Sequence, residues 1–254
     1  MNFFAYKTVA ERYAKYRPRF HPLVIEKIRN YLGLKTPVNL ALDVGCGTGQ
    51  STVALKEIAN SVVGVDISTD MLQLAEKKPG IRYIQSAAED LEILDDNSFD
   101  LMTTSLAFHW FDQKRFFAEA RRLLKEKAWL VIYNNGFSGQ MRGNTDFQPW
   151  VEQVYLNRYG TPPRNSIPLT SESAKEYGFE FAHQEDYENE VEFTVEELAA
   201  YLTTQSNVIS ATEQGNEKVE DVYRWLVAQI TPFFHAEKET FVFDGYIWYL
   251  QKTS

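Results

Sequence analysis

Cysteine is almost missing from this chain: Cys46 is the only one among 254 residues. That excludes an internal disulfide and suits a reducing compartment, so a cytoplasmic location is expected. Long hydrophobic runs are missing too. No apolar stretch approaches the ~20 residues of a membrane span, and Met1-Asn2-Phe3-Phe4-Ala5-Tyr6-Lys7 lacks the apolar core of a signal peptide. No membrane partner is expected. Basic charge is scarce: 26 Lys and Arg stand against 35 Asp and Glu, a net charge of −9. A nucleic-acid binder neutralises phosphates with Lys and Arg. Here the nearest basic cluster is Arg12, Lys15, Arg17 and Arg19, which reads either as a solvated helix face or as an anion-binding mouth. Bulk charge points to a small-molecule partner and away from nucleic acid.

Other signatures are lacking as well. Of the four histidines, His21, His109, His183 and His235, none pairs with another or with Cys46 at metal-ligand spacing, so no metal is expected. There is no Gly-x-Ser-x-Gly elbow and no phosphate loop ending in Gly-Lys-Ser/Thr. Repeats, low-complexity tracts and linker-like breaks are absent.

What is present is an alternation of short apolar strands and helical stretches. Two helices are expected first, one from about Tyr6 to Tyr16 and one between Pro22 and Gly33. Strands are then expected at Leu40–Val44, Ser61–Asp66, Ile81–Ile84, Phe99–Thr104 and Trp129–Tyr133. The intervening helices are Thr52–Ile58, Asp70–Lys77 and Arg115–Leu124. Such alternation implies βαβ units and a parallel sheet. After residue 135 the rhythm stops, in a stretch punctuated by Gly and Pro as far as Pro168, with one helix expected at Phe147–Tyr159. A strand at Phe179–Tyr187, a helix from Thr194 to Leu202 and another at Val219–Ile230 follow. Thr240–Leu250 reads as a final strand, and with no helix after it, antiparallel pairing is expected.

Asp43-Val44-Gly45-Cys46-Gly47-Thr48-Gly49 follows the first strand and opens a helix. Glycines there permit positive φ and let backbone approach a ligand closely. A dinucleotide fingerprint would need glycine where Gln50 stands, and Asp43 would repel a diphosphate. Asp66 ends the second strand, 21 residues after Gly45, where a carboxylate can accept ribose hydroxyls. Turn, acid and βαβ context together indicate a nucleoside site without a pyrophosphate.

These residues resemble the first two motifs of class I S-adenosylmethionine (SAM) methyltransferases: Leu42 to Gly49, then Val65-Asp66-Ile67-Ser68 with Met71. Ala88-Glu89-Asp90-Leu91 and Asp96 to Leu101 resemble the third and fourth. Ser105-Leu106-Ala107-Phe108-His109-Trp110-Phe111-Asp112 is similar to the small-molecule trans-aconitate and ubiquinone-biosynthesis group, as are Tyr13–Pro18 and Thr194–Leu202. The resemblance covers nearly the whole chain. It implies a Rossmann-like α/β fold: a mostly parallel seven-stranded sheet, an antiparallel last strand, and helical caps at the N-terminus and after strand five. One domain, 1–254, is expected, with an N-terminal helical lid (1–36), a SAM-binding core (37–135), a cap insertion (136–178) and C-terminal strands and helices (179–254).

By the same resemblance, Gly45, Cys46, Gly47 and Gly49 approach the SAM ribose and methionine, Asp43 faces the ammonium group, and Asp66 holds the ribose hydroxyls. Ile67 and Met71 sandwich the adenine, Ala88 and Glu89 lie at its edge, and Ser105 is a further cofactor-binding residue. Relatives often carry Asp where Ala87 stands. Lys125-Glu126-Lys127-Ala128 replaces a Pro-Gly-Gly turn, which is expected to alter a loop and not the chemistry. His109, just past the fourth strand, is the candidate general base. Tyr13, Tyr16, Arg17, His109, Trp110 and Tyr201 are candidate acceptor contacts, Arg17 as a partner for a carboxylate. The lid and cap are expected to close over SAM.

The activity implied is methyl transfer from SAM to a small-molecule carboxylate, hydroxyl or activated carbon, by a monomer or homodimer. The alternatives are a SAM-binding protein without catalysis and an RNA methyltransferase. Where enzymes that methylate amino groups usually show an Asn/Asp-Pro-Pro-aromatic motif, this chain has Ser105-Leu106-Ala107-Phe108.

Overall fold

Runs rich in Val, Leu and Ile form central strands because helices cover both of their faces. The computed structural model describes residues 7–163, 169–213, 215 and 217–253. The expected helix start at Tyr6, and Pro168, lie outside them.

Two helices, α1 (Lys7–Tyr16) and α2 (His21–Tyr31), precede the sheet. Then come β1 (Val38–Val44), α3 (Gln50–Leu55), β2 (Ala59–Asp66), α4 (Thr69–Gln73), β3 (Ile81–Gln85), β4 (Phe99–Ser105), α5 (Gln113–Leu123) and β5 (Leu124–Met141). The second half holds α6 (Phe147–Trp150), α7 (Leu156–Arg158), α8 (Ser171–Glu176), β6 (Phe179–Phe193), α9 (Val195–Leu202), α10 (Ser206–Glu213), α11 (Val219–Ile230) and β7 (Glu239–Lys252).

The strand order is β3-β2-β1-β4-β5-β7-β6. Six strands are parallel and the last is antiparallel, a Rossmann-like arrangement. Registers align the carboxyl ends: Val44 pairs Val65, Asp43 pairs Thr103, and Ser105 pairs Tyr133. Chain order reverses between β1 and β4, which makes their carboxyl ends the topological switch point.

The chain forms two compact units. One comprises residues up to Pro18, Asn135–Pro163 and Tyr187–Gly245; the other comprises Arg19–Asn134, Arg164–Asp186 and the residues from Tyr246 on. The second has a core from the strands and α5, including Leu42, Val65, Phe99, Met102, Phe116, Phe117, Leu130 and Leu250. The first has its own core, with Phe147, Trp150, Tyr155, Leu198, Tyr201, Val222, Leu226, Phe241 and Phe243.

Several boundaries differ from expectation. Lys125–Ala128 is not a loop. β5 already begins at Leu124, and its pairing with β4 moves from Phe99↔Leu124 to Leu101↔Trp129, so residues 125–128 bulge opposite Asp100. Lys127 adopts a left-handed φ of 59°, the conformation a glycine accepts at least cost. The rhythm does not stop at residue 135, since β5 continues to Met141, and β6 runs past Tyr187 to Phe193. The helix expected at Phe147–Tyr159 is interrupted by a π-turn at Val151–Tyr155. Helices α8 and α10 were not anticipated. The helix after Thr194 begins as expected: Glu197 N–H donates to Thr194 Oγ1 and Thr194 N–H to Glu197 Oε2, a reciprocal cap.

Candidate cofactor and acceptor site

The glycine turn leaves β1 through three left-handed residues, Gly45 (φ 72°), Gly47 (53°) and Gly49 (77°). Their surroundings differ. A Cβ on Gly45 would stand 2.5 Å from Ala107 Cβ, and one on Gly49 would overlap the Tyr83 hydroxyl. A Cβ on Gly47 would meet nothing within 4 Å. Gly47 is therefore the glycine whose bare face is turned to open space.

The turn's amides are already engaged. Gly45 and Cys46 N–H both donate to Val65 O, Gly47 N–H donates to Asp66 Oδ2 at 2.7 Å, and Gly49 N–H donates to Cys46 O. An anion nest needs such N–H groups aimed at the ligand. With these spent on β2, and with Asp43 and Asp66 nearby, the turn suits a nucleoside and not a diphosphate. Cys46 is buried, and burial together with Asp43 and Asp66 pushes its thiol well above the usual range.

Asp43 is fully buried. Its carboxylate accepts from Ser51 Oγ (2.6 Å), Thr52 Oγ1 (2.7 Å) and Thr103 Oγ1 (3.2 Å). Burial raises its pKa, and the three hydroxyls oppose the rise. This carboxylate faces inward, joining β1, β4 and the start of α3. It presents no open side to an ammonium group, which corrects the role implied by resemblance. Asp66 lies partly open. Beyond Gly47, it accepts from Ser68 N–H at 2.8 Å, and Ser68 Oγ in turn caps α4 by accepting from Met71 N–H. Burial raises the Asp66 pKa, and those backbone donors pull it back.

Ile67 is 56% exposed, unusual for isoleucine, whereas Met71 is buried in the core. Ala88 is buried, and Glu89 Oε1 accepts from Asp112 N–H at 2.8 Å where α5 begins. Ser105 ends β4 with its hydroxyl buried and, among the described residues, without a hydrogen-bond partner. Leu106 then takes φ 56°, a rare conformation for a leucine that concentrates at functional sites. A 3₁₀ turn, Phe108–Trp110, follows, and the His109 and Trp110 rings lie 4.7 Å apart.

All of these residues, from Asp43 to Trp110, belong to the second compact unit; Tyr13, Tyr16, Arg17 and Tyr201 belong to the first. There the Arg17 guanidinium lies over the Tyr13 ring at 4.7 Å and the Tyr201 ring at 5.4 Å, and donates to Thr204 O at 2.8 Å. Tyr16 carries Lys15 over its own ring. Two residues, one at the turn and one behind Ser105, escaped sequence reasoning. Tyr83 packs under Gly49, and His21 Nδ1 lies 3.1 Å from the Tyr133 hydroxyl, the residue paired with Ser105. Neither carries a motif; only the strand register reveals them.

Comparison with known proteins agrees with this geometry. A family model for the methyltransferase domain matches residues 42–132. A protein of Dictyostelium discoideum named as a methyltransferase is 28% identical over 216 residues, covering 84% of this chain and 80% of that one. A structure from Anaeromyxobacter dehalogenans, described as a type II methyltransferase, superposes with a TM-score of 0.69 at 24% identity, over 92% of this chain and 97% of that one. Phosphoethanolamine N-methyltransferase 2 of Haemonchus contortus, in complex with SAM, has a TM-score of 0.54 at 22% identity, over 99% of this chain and 57% of that one. Residues 42–132 thus match the methyltransferase domain, and the comparisons support SAM as the cofactor.

Proposed function

We propose that the chain transfers the methyl group of SAM to a small-molecule acceptor bearing a carboxylate, hydroxyl or activated carbon. The observation that carries this reading is the left-handed turn at Leu106, which sets the His109 and Trp110 rings 4.7 Å apart past the carboxyl end of β4. In open α/β sheets ligands bind outside those ends. Gly47, Asp66 and Ile67 would hold the cofactor, with Met71, Ala88 and Glu89 supporting its adenine side. Bound there, SAM supplies an electrophilic methyl on a sulfonium.

The remaining task is to align the acceptor and exclude water. Trp110 offers an apolar wall, and the Ser105 hydroxyl a hydrogen-bonding group. His109 serves as base when the acceptor arrives protonated; a carboxylate needs none. The net charge of −9 supports a small acceptor over RNA, and the Haemonchus contortus protein is named for a small one. For Arg17 the geometry favours a second reading: its contacts with Tyr13, Tyr201 and Thr204 O hold α1, so a role toward an acceptor carboxylate is secondary.

The test is turnover of methyl-labelled SAM against a panel of small carboxylic acids, phenols and carbon acids, with bulk tRNA alongside. Label should appear on a small acceptor. If it appears only on tRNA, the reading fails. If SAM binds by calorimetry and no acceptor is methylated, the chain is a SAM-binding protein without catalysis.

A further inference from the structure

We propose that Tyr83 on β3 is a positioning residue of the cofactor site, setting the glycine turn from the protein side and tying it to the segment after α4. The inference rests on the SAM reading of that turn. Its starting point is a pair of glycines that make room for one ring. Gly64 on β2 is the direct register partner of Tyr83, and a Cβ there would lie 2.8 Å from Tyr83 Cδ1 and 2.9 Å from Thr52 Oγ1. Gly49, in the turn itself, would drive a Cβ into the Tyr83 hydroxyl. The ring thus folds across β2 and ends beneath the turn.

Its hydroxyl is also placed by partners. It donates to Glu76 O at 3.1 Å, in the segment that follows α4. Thr52 Oγ1, which crowds the same space at Gly64, donates to Asp43. Burial, with Cys46 and Asp43 nearby, raises the phenol pKa far above its usual value, so Tyr83 stays a neutral donor. One side chain therefore backs the turn at Gly49 and the strand at Gly64 and bonds the α4 flank at Glu76. The turn and the α4 flank are the two parts that would hold the ends of SAM. Gly47, two residues before Gly49, faces open space, whereas Gly49 is backed by Tyr83, so the ring is assigned to the protein side of the turn.

A site is only as sharp as the groups that support it. Removing the ring should let Gly47 and Gly49 relax away from their left-handed conformations and weaken SAM. The experiment is calorimetric titration of S-adenosylhomocysteine into wild type, Tyr83→Phe and Tyr83→Ala, with circular dichroism and amide exchange at residues 45–49. Tyr83→Ala should bind about tenfold more weakly or worse, with the fold retained and faster exchange in the turn. Tyr83→Phe keeps the ring under Gly49 and loses the bond to Glu76 O, so its affinity should fall between wild type and Tyr83→Ala. Should Tyr83→Ala not fold, Tyr83→Leu, which fills much of the space without the flat ring, carries the same expectation. Affinity within about twofold of wild type in the Ala or Leu variant overturns the proposal, as does a Phe variant as weak as the Ala one. Failure of the wild type itself to bind would instead overturn the cofactor assignment.

Discussion

The carboxylate of Asp66 accepts the amide hydrogen of Gly47 at 2.7 Å, joining the end of β2 to the one turn glycine whose bare face is open. The acid that ends β2 and the glycine turn are thus one hydrogen-bonded unit. Asp66→Ala removes that bond, the bond from Ser68, and the proposed ribose contacts. Charge-assisted hydrogen bonds contribute roughly 1.5–3 kcal/mol each. SAM affinity measured by calorimetry should fall by at least about tenfold with the fold intact. Unchanged affinity would rule out the assignment of Asp66.

The turn glycines should separate by mechanism. Gly47→Val puts a branched side chain into open space at φ 53°, so the expected result is lost SAM binding and a stability loss of about 1–3 kcal/mol from backbone strain. Gly49→Ala carries the same kind of strain and also collides with Tyr83, so it should lower Tm more than Gly47→Ala does. Thermal melts of the two alanine variants check this. Equal destabilisation would show that Tyr83 yields freely.

His21 sets a pH dependence of stability. It is buried against Tyr133, and desolvation lowers its pKa from 6.5 to about 3. Its folded pKa lies below the unfolded value, so the stability it confers is present above pH 6.5 and lost as pH falls toward 3. The upper limit is roughly 5 kcal/mol. Asp43, whose folded pKa is raised, works in the opposite direction: its contribution is greatest in acid and is lost as pH rises through its folded pKa. An acid limb in Tm between pH 6.5 and 4 is therefore the mark of His21, and His21→Gln should flatten it. A Gln variant with the same acid limb as wild type contradicts the assignment.

Arg17 should matter most to α1. Arg17→Ala removes two ring contacts and the bond to Thr204 O next to α1. Amide exchange across residues 8–16 should then accelerate by about tenfold or more, while exchange in β1 and β4 stays unchanged. No change in α1 would mean that its buried Val9 and Ala10 suffice to hold it.

The parallel half of the fold was legible because its signals are local. Apolar runs such as Leu40–Val44 and Ser61–Asp66 can bury both faces only as central strands, and the glycine turn must follow the first of them. The Thr194–Glu197 cap was legible for the same reason. Helix α10 was not. Ser206-Asn207-Val208-Ile209 is a weak helix former, stabilised by burial of Val208 and Ile209 and by the bonds of Asn207 to Tyr155 and Tyr159. The far end of β6 was hidden as well, because Glu188, Glu190 and Glu192 alternate with Asn189 and Val191 in a polar strand at the sheet edge.

By itself, the sequence determined the alternation of strands and helices in the parallel half, the glycine turn, the strand-ending Asp66 and hence the nucleoside chemistry. All of these follow from residue types at short spacing. Only the tertiary structure decided that Asp43 faces inward, that Gly47 and not Gly49 is open, and that Tyr83 and His21 stand beside the site. Those facts depend on which strand lies next to which, and in what register. Gly64 meets Tyr83, Asp43 meets Thr103, and Ser105 meets Tyr133 across strand pairs whose members are 19, 60 and 28 residues apart. No local pattern carries that information, because a parallel pair is set by the packing of the whole sheet.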